Sequence, residues 1–158
     1  MRSANRHPLM LLCAAVLFGG FLSTGRSREV TMSPQNTPSQ EETTHRAINN
    51  FNEAFNRHDA DALAAFLTDD TVFEDTSPAP DGRRIDGKAA VVDFWRAWFA
   101  RNSDAHFDAE DVIVSGDRAV VLWVYRKMRD GQPWHIRGVD IFTVRNGKVA
   151  AKLAYVKG

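Results

Sequence analysis

The sequence predicts an α+β domain in which helices cover one face of an antiparallel sheet. Two observations carry that expectation. Between residues 40 and 101 apolar side chains recur three and four positions apart, the spacing of amphipathic helices. From His106 onward the period falls to two, and the chain divides into long strands at Ser115-Gly116-Asp117, Asp130-Gly131 and Asn146-Gly147. All three breaks are hairpin chemistry, Asn-Gly most strongly, because both central residues of that turn adopt positive φ.

The totals bound the reading. A chain of 158 residues with 44% hydrophobic and 10% aromatic content is one domain with enough apolar surface for a real core. Twenty Lys and Arg balance twenty Asp and Glu. A neutral chain without basic runs argues against a nucleic-acid partner. The single cysteine, Cys13, excludes an internal disulfide framework and a cysteine-based zinc site.

Residues 1–31 stand apart. Arg2 and Arg6 precede the apolar run LMLLCAAVLFGGFL and then Ser23-Thr24-Gly25, the pattern of a signal peptide or N-terminal membrane anchor with cleavage expected after Gly25. Cys13 does not read as a lipid-attachment site, since the apolar run continues past it. The expected location is secreted or periplasmic, with a membrane tether as a variant; translation starting at Met32 would make the protein cytoplasmic. Residues 32–40 form a polar, Pro-containing linker, and 41–158 the folded domain.

Within the domain, Ser39 and Glu42 form a capping-box pattern at the start of a first helix, whose apolar face is Ala47, Ile48, Phe51, Ala54 and Phe55. Asp59 caps a shorter second helix carrying Leu63, Phe66 and Leu67. A short strand follows over Thr71 to Asp75, then the loop TSPAPDGRR, and then a third helix with the stripe Val91, Phe94, Trp95, Trp98 and Phe99. Four strands complete the chain: His106 to Ser115, Arg118 to Arg129, Gln132 to Arg145 and Lys148 to Lys157. In the strand Arg118 to Arg129 both faces are apolar, Val120, Leu122 and Val124 on one and Val121, Trp123 and Tyr125 on the other. A sheet covered by helices on one side has a free side to cover, and a second copy of the chain is the expected cover: a homodimer through the sheet. Val139 and Ile141 with Trp123 and Tyr125 are its expected surface.

Chemistry is sparse. Phosphate-binding loops, nucleophile elbows and His-Glu-x-x-His are absent. His58, Asp59 and Asp61 could group around a metal, but Asp59 and Asp61 read first as helix-start acids, and Asp69 and Asp70 as turn residues. No metal or other cofactor is expected. Two acids stand out. Asp140 is alone in the stripe Trp134, Ile136, Gly138, Asp140, Phe142, Val144, where an acid is costly unless it is paired, protonated or faces a cavity. Asp75 shares a face with Phe73 beside the Pro-rich loop. Two carboxyls on one apolar cavity suit acid–base work. The alternatives are a strand-end acid in solvent for Asp75, and for Asp140 a structural acid bonded to backbone, Arg137 or Arg126. Arg126 shares a face with Val124, within reach of a pocket; His135 and Arg137 fall on the face opposite Asp140.

The order FNEAFNRHDADALAAFLTDDTVFED, Pro/Gly loop, GKAAVVDFWRAW and RGVDIFTVRNGKVAAKLAYVKG resembles the nuclear transport factor 2-like superfamily, closest to its SnoaL-like group and to ketosteroid isomerases. The resemblance covers Glu41 to Gly158. It implies a cone: a curved antiparallel sheet packed against three N-terminal helices around an apolar pocket. It implies that Asp75 stands at the general base and Asp140 at a protonated acid that donates to a developing oxyanion. The aromatic residues Phe51, Phe55, Trp95, Trp98, Trp134 and Phe142 are the expected pocket walls. Phe51 and Trp95 replace tyrosines of the isomerases, which counts against steroid isomerisation, since losing an oxyanion donor costs a few kcal/mol. Ala154 stands where an acid of the limonene epoxide hydrolases would fall, which counts against that activity. Two functions follow: a cofactor-free isomerase or cyclase acting on a small apolar carbonyl or enol compound, or a non-catalytic module that binds a ligand or dimerises.

Overall fold

The computed structural model describes residues 37–157. The expected signal or anchor segment and most of the linker lie outside the described residues. Helix α1 spans Gln40–Asn56 and begins in the expected capping box: Ser39 Oγ accepts from Glu42 N at 3.1 Å, and Glu42 Oε2 accepts from Ser39 N at 2.7 Å. Those bonds satisfy donors that a helix start leaves free. Its inward face is Ala47, Ile48, Phe51, Ala54 and Phe55. Asp59 accepts from Ala62 N at 2.8 Å and starts α2, Ala60–Ala65. Helix α3, Lys88–Arg101, buries Val91, Val92, Trp95 and Phe99.

Six strands form one sheet: β1 Leu67–Glu74, β2 Arg84–Asp86, β3 His106–Ser115, β4 Arg118–Arg129, β5 Gln132–Arg145 and β6 Lys148–Val156. Their order is β2-β1-β6-β5-β4-β3, antiparallel except where β1 runs parallel to β6. Strand β1 begins at Leu67, earlier than expected, and β2 is an addition to the expected set. Asn146 and Gly147 have φ of 53° and 71°, and Asp130 and Gly131 52° and 74°, so both tight hairpins use the turn that their residues favour. Helix α1 packs on β3, β4, β5 and β6, while α3 packs on β1 and β2. One sheet face meeting helices along its whole width is the expected cone, with its core among Phe51, Phe55, Trp95, Phe99, Trp123 and Phe142.

Register decides which residues face that core. Arg129 pairs with Gln132 across the two-residue turn, and the antiparallel ladder carries this to Tyr125↔Ile136, Trp123↔Gly138, Val121↔Asp140 and Ala119↔Phe142. Directly opposed residues share a face. Trp123 and Tyr125 therefore face inward with Asp140, and the expected outer surface of Trp123, Tyr125, Val139 and Ile141 is corrected accordingly. The outer face carries Val120, Leu122, Val139, Ile141, Leu153 and the exposed Ile113 and Tyr155. Arg126 is on that outer face as well, 2.7 Å from Asp108 Oδ2, and Arg137 pairs with Glu110. Neither arginine is the partner of Asp140.

Candidate functional site

The partner of Asp140 is Lys152. Its Nζ lies 2.8 Å from Asp140 Oδ2, and the two side chains are 10% and 6% exposed. Strand β6 brings the lysine there through an irregularity in the ladder. From the turn, Arg145 pairs with Lys148 and Val144 with Val149, but Thr143 pairs with Ala151 and Phe142 with Lys152. One extra residue, Ala150, is inserted in β6, and beyond such a bulge alternation switches face. Lys152 also stands beside Phe73 of β1 in register, and its ammonium lies 5.2, 5.8 and 5.7 Å from the ring centroids of Phe73, Trp95 and Phe142. Three aromatic faces and one carboxylate replace water around the cation. Each charge offsets the cost of burying the other.

A cavity of about 300 Å³ opens from this pair towards solvent. Its inner walls are Phe73, Trp95, Trp123, Asp140 and Lys152, and its outer walls include Asp75, Trp98, Tyr125, Lys127 and Trp134. Asp75 follows the last residue of β1. Its Oδ1 accepts from Thr76 N at 2.8 Å, and Arg83 lies 3.7 Å from Oδ2. The Asp75 side chain is 19% exposed. Asp75 and Asp140 thus line one cavity. Asp140 Oδ1 and the indole Nε1 groups of Trp95 and Trp123 are buried without a hydrogen-bond partner among the described residues. Near the opening, burial first and the Asp104 carboxylate second push the Tyr125 phenol up to about 12.

The expected aromatic walls divide. Trp95, Trp98 and Trp134 line the main cavity. Phe51 and Phe55 line a smaller void of about 20 Å³ behind it, which touches Asp140 and Lys152. Phe142 reaches neither space: it is fully buried at the closed end, edge-on to Phe51 at 5.6 Å. Ala154 lies directly across from Asp140. Of the acids read as structural, Asp69 pairs with Lys88 at 2.5 Å, which holds its carboxyl below the usual range. Asp70 bonds Arg145, and Thr68 and Arg145 lower its pKa in that order. His58 bonds Ala105 O at 2.8 Å and stacks on Phe99. Among the described residues, no group of three or more His, Cys, Asp or Glu side chains is arranged to hold a metal ion.

A curved six-stranded sheet packed against N-terminal helices defines the nuclear transport factor 2-like class of folds. The chain belongs to the SnoaL-like domain family, whose model matches residues 48–152. Among solved structures it is similar to a nuclear transport factor 2-like protein of unknown function from Mesorhizobium loti. The two are 38% identical over 77% of this chain and 97% of that one, with a TM-score of 0.67. A candidate polyketide cyclase from Xanthomonas campestris is similar in fold at 24% identity, 75% and 93% coverage and a TM-score of 0.60. A candidate ketosteroid isomerase from Kribbella flavida is similar in fold at 18% identity, 76% and 82% coverage and a TM-score of 0.65. A search of curated proteins found no match.

Proposed function

We propose that the protein catalyses a proton transfer on a small apolar carbonyl or enol compound, in an isomerase or cyclase reaction that needs no metal. The observation that supports this most is one apolar cavity lined by Asp75, Asp140 and Lys152. In this reading the Asp75 carboxylate removes a proton from the carbon beside the carbonyl. Negative charge then grows on the carbonyl oxygen, where the Lys152 ammonium stabilises it. Where the substrate has a β,γ double bond, the resulting dienolate takes the proton back from Asp75 at its γ carbon in an isomerisation. In a cyclisation the enolate carbon attacks a second carbonyl carbon, and the alkoxide so formed takes the proton that Asp75 holds. Asp140 holds Lys152 in place, so the donor to the oxygen is the lysine rather than a protonated Asp140. Candidate cyclases and isomerases with the same fold are consistent with this class.

The test is exchange of the acidic C–H of bulky apolar ketones in D₂O, followed by proton NMR. The wild type is expected to exchange it, and Asp75→Asn to slow it by about 10²- to 10⁴-fold, the usual contribution of a general base. A second reading, a non-catalytic binding module, draws on Arg83 beside Asp75 and on a cavity whose innermost charges already pair with each other. Binding of such ketones with exchange no faster than in buffer would favour it.

The exposed apolar outer face supports a homodimer through the sheet. Export directed by residues 1–31 belongs to the same reading, and N-terminal sequencing of the native protein tests it.

A further inference from the structure

We infer that the ligand of this cavity carries a carboxylate at its solvent-facing end, and that Lys127 binds it. The inference rests on the preceding assignment of the cavity as a ligand site and adds the class of ligand. Along the inward face of β4, Ala119, Val121 and Trp123 are 1%, 2% and 5% exposed, whereas Tyr125 and Lys127 are half-buried. The strand therefore runs from the closed core to the opening, and Lys127 stands at the rim opposite Trp134.

The ammonium of Lys127 is held there by neutral groups. It donates to Asn102 Oδ1 at 3.2 Å and lies 5.9 Å from the Tyr125 ring centroid. The phenol of Tyr125, with its pKa near 12, adds no charge at neutral pH. Asp104, whose carboxylate acts on Tyr125, accepts from Met128 N at 2.7 Å and makes no ion pair with Lys127. Of the charged residues lining the cavity, Asp140 and Lys152 compensate each other and Asp75 has Arg83 at 3.7 Å. Lys127 alone among them has no oppositely charged group within salt-bridge distance among the described residues. A pinned cation without an ion-pair partner at the mouth of an apolar cavity favours an anion over a neutral group of the same shape. Trp98, Tyr125 and Trp134 supply flat apolar surface for the body of the ligand behind that anion. Such a ligand is an aryl or alicyclic carboxylic acid, its carbonyl or enol oxygen directed to Lys152 and its carboxylate to Lys127.

The test is calorimetric titration at low salt with three probes: 2-naphthylacetate, its methyl ester and the matching neutral methyl ketone. In the wild type the acid is expected to bind about tenfold more tightly than the ester, the range of a charge-assisted hydrogen bond. Within Lys127→Gln the acid-to-ester ratio is expected to fall to about one, and Lys127→Arg to restore the preference. Equal binding of acid and ester in the wild type, or a preference that survives Lys127→Gln, overturns the inference. If the ketone binds and the acid shows no preference, this inference falls while the ligand site stands. If the preference follows Lys127 but no ketone shows catalysed exchange, the carboxylate site stands and the proton-transfer reading falls. If none of the probes binds, both fall.

Discussion

Asp140 and Lys152 are each tolerable in the core only because of the other. Removing one charge leaves the partner buried and uncompensated, a change that costs about 3–5 kcal/mol in comparable pairs. Asp140→Asn and Lys152→Met are each expected to lower stability by that order in urea unfolding. Asp140→Leu combined with Lys152→Met is expected to recover most of the loss, because an apolar pair of similar volume removes both desolvation costs. Tyr125 gives a separate handle. Its folded-state pKa of about 12 is above the ordinary value of 10, so it contributes stability below pH 10 that is lost as pH rises towards 12. Absorbance titration is expected to show a late-ionising phenol that is missing in Tyr125→Phe. Asp140 was legible as a residue to watch, being the one acid in an apolar stripe. Lys152 was hidden: strict alternation from the Asn146-Gly147 turn pairs it with Ile141 on the outer face, and only the bulge at Ala150 turns it inward.

At the scale of the element, β5 shapes the cavity through a residue with no side chain. A Cβ on Gly138 would lie 2.3 Å from Trp123 Cζ2 and 2.2 Å from the Tyr155 carbonyl oxygen. The glycine makes room for the indole that forms part of the cavity wall. Gly138→Ala is therefore expected to cost about 1–3 kcal/mol by overpacking, and to change the intrinsic tryptophan emission as Trp123 moves. The helices were the most legible elements, because capping box, Asp59 cap and apolar stripes are local signals; α2 is shorter than its expected stripe, ending at Ala65 with Phe66 as its C-cap and Leu67 already in β1. The direction of the β4 faces was also implicit. A two-residue turn at Asp130-Gly131 makes Arg129 and Gln132 partners, and counting back puts Val121 opposite Asp140. Assigning Trp123 and Tyr125 to an outer surface overlooked that constraint.

For the whole molecule, the outer side of the sheet, exposed among the described residues, is the feature to test. Ile113 and Tyr155, 55% and 50% exposed, flank Val120, Leu122, Val139, Ile141 and Leu153. The chain is expected to sediment as a dimer, and Ile141→Lys to shift it to monomer without altering the far-UV circular dichroism. Ile141 points away from the cavity, so its substitution separates association from ligand binding.

The sequence by itself determined the class of fold, the helix starts, the tight turns and the two acids of interest. These follow from periodicity, capping and turn conformation, which act over a few residues. Only the tertiary structure decided that a lysine from β6 reaches Asp140, that Phe142 lies beyond the cavity, and that Lys127 stands at its mouth. Those placements depend on one inserted residue and on strands brought together from distant parts of the chain. No local pattern records where such strands meet.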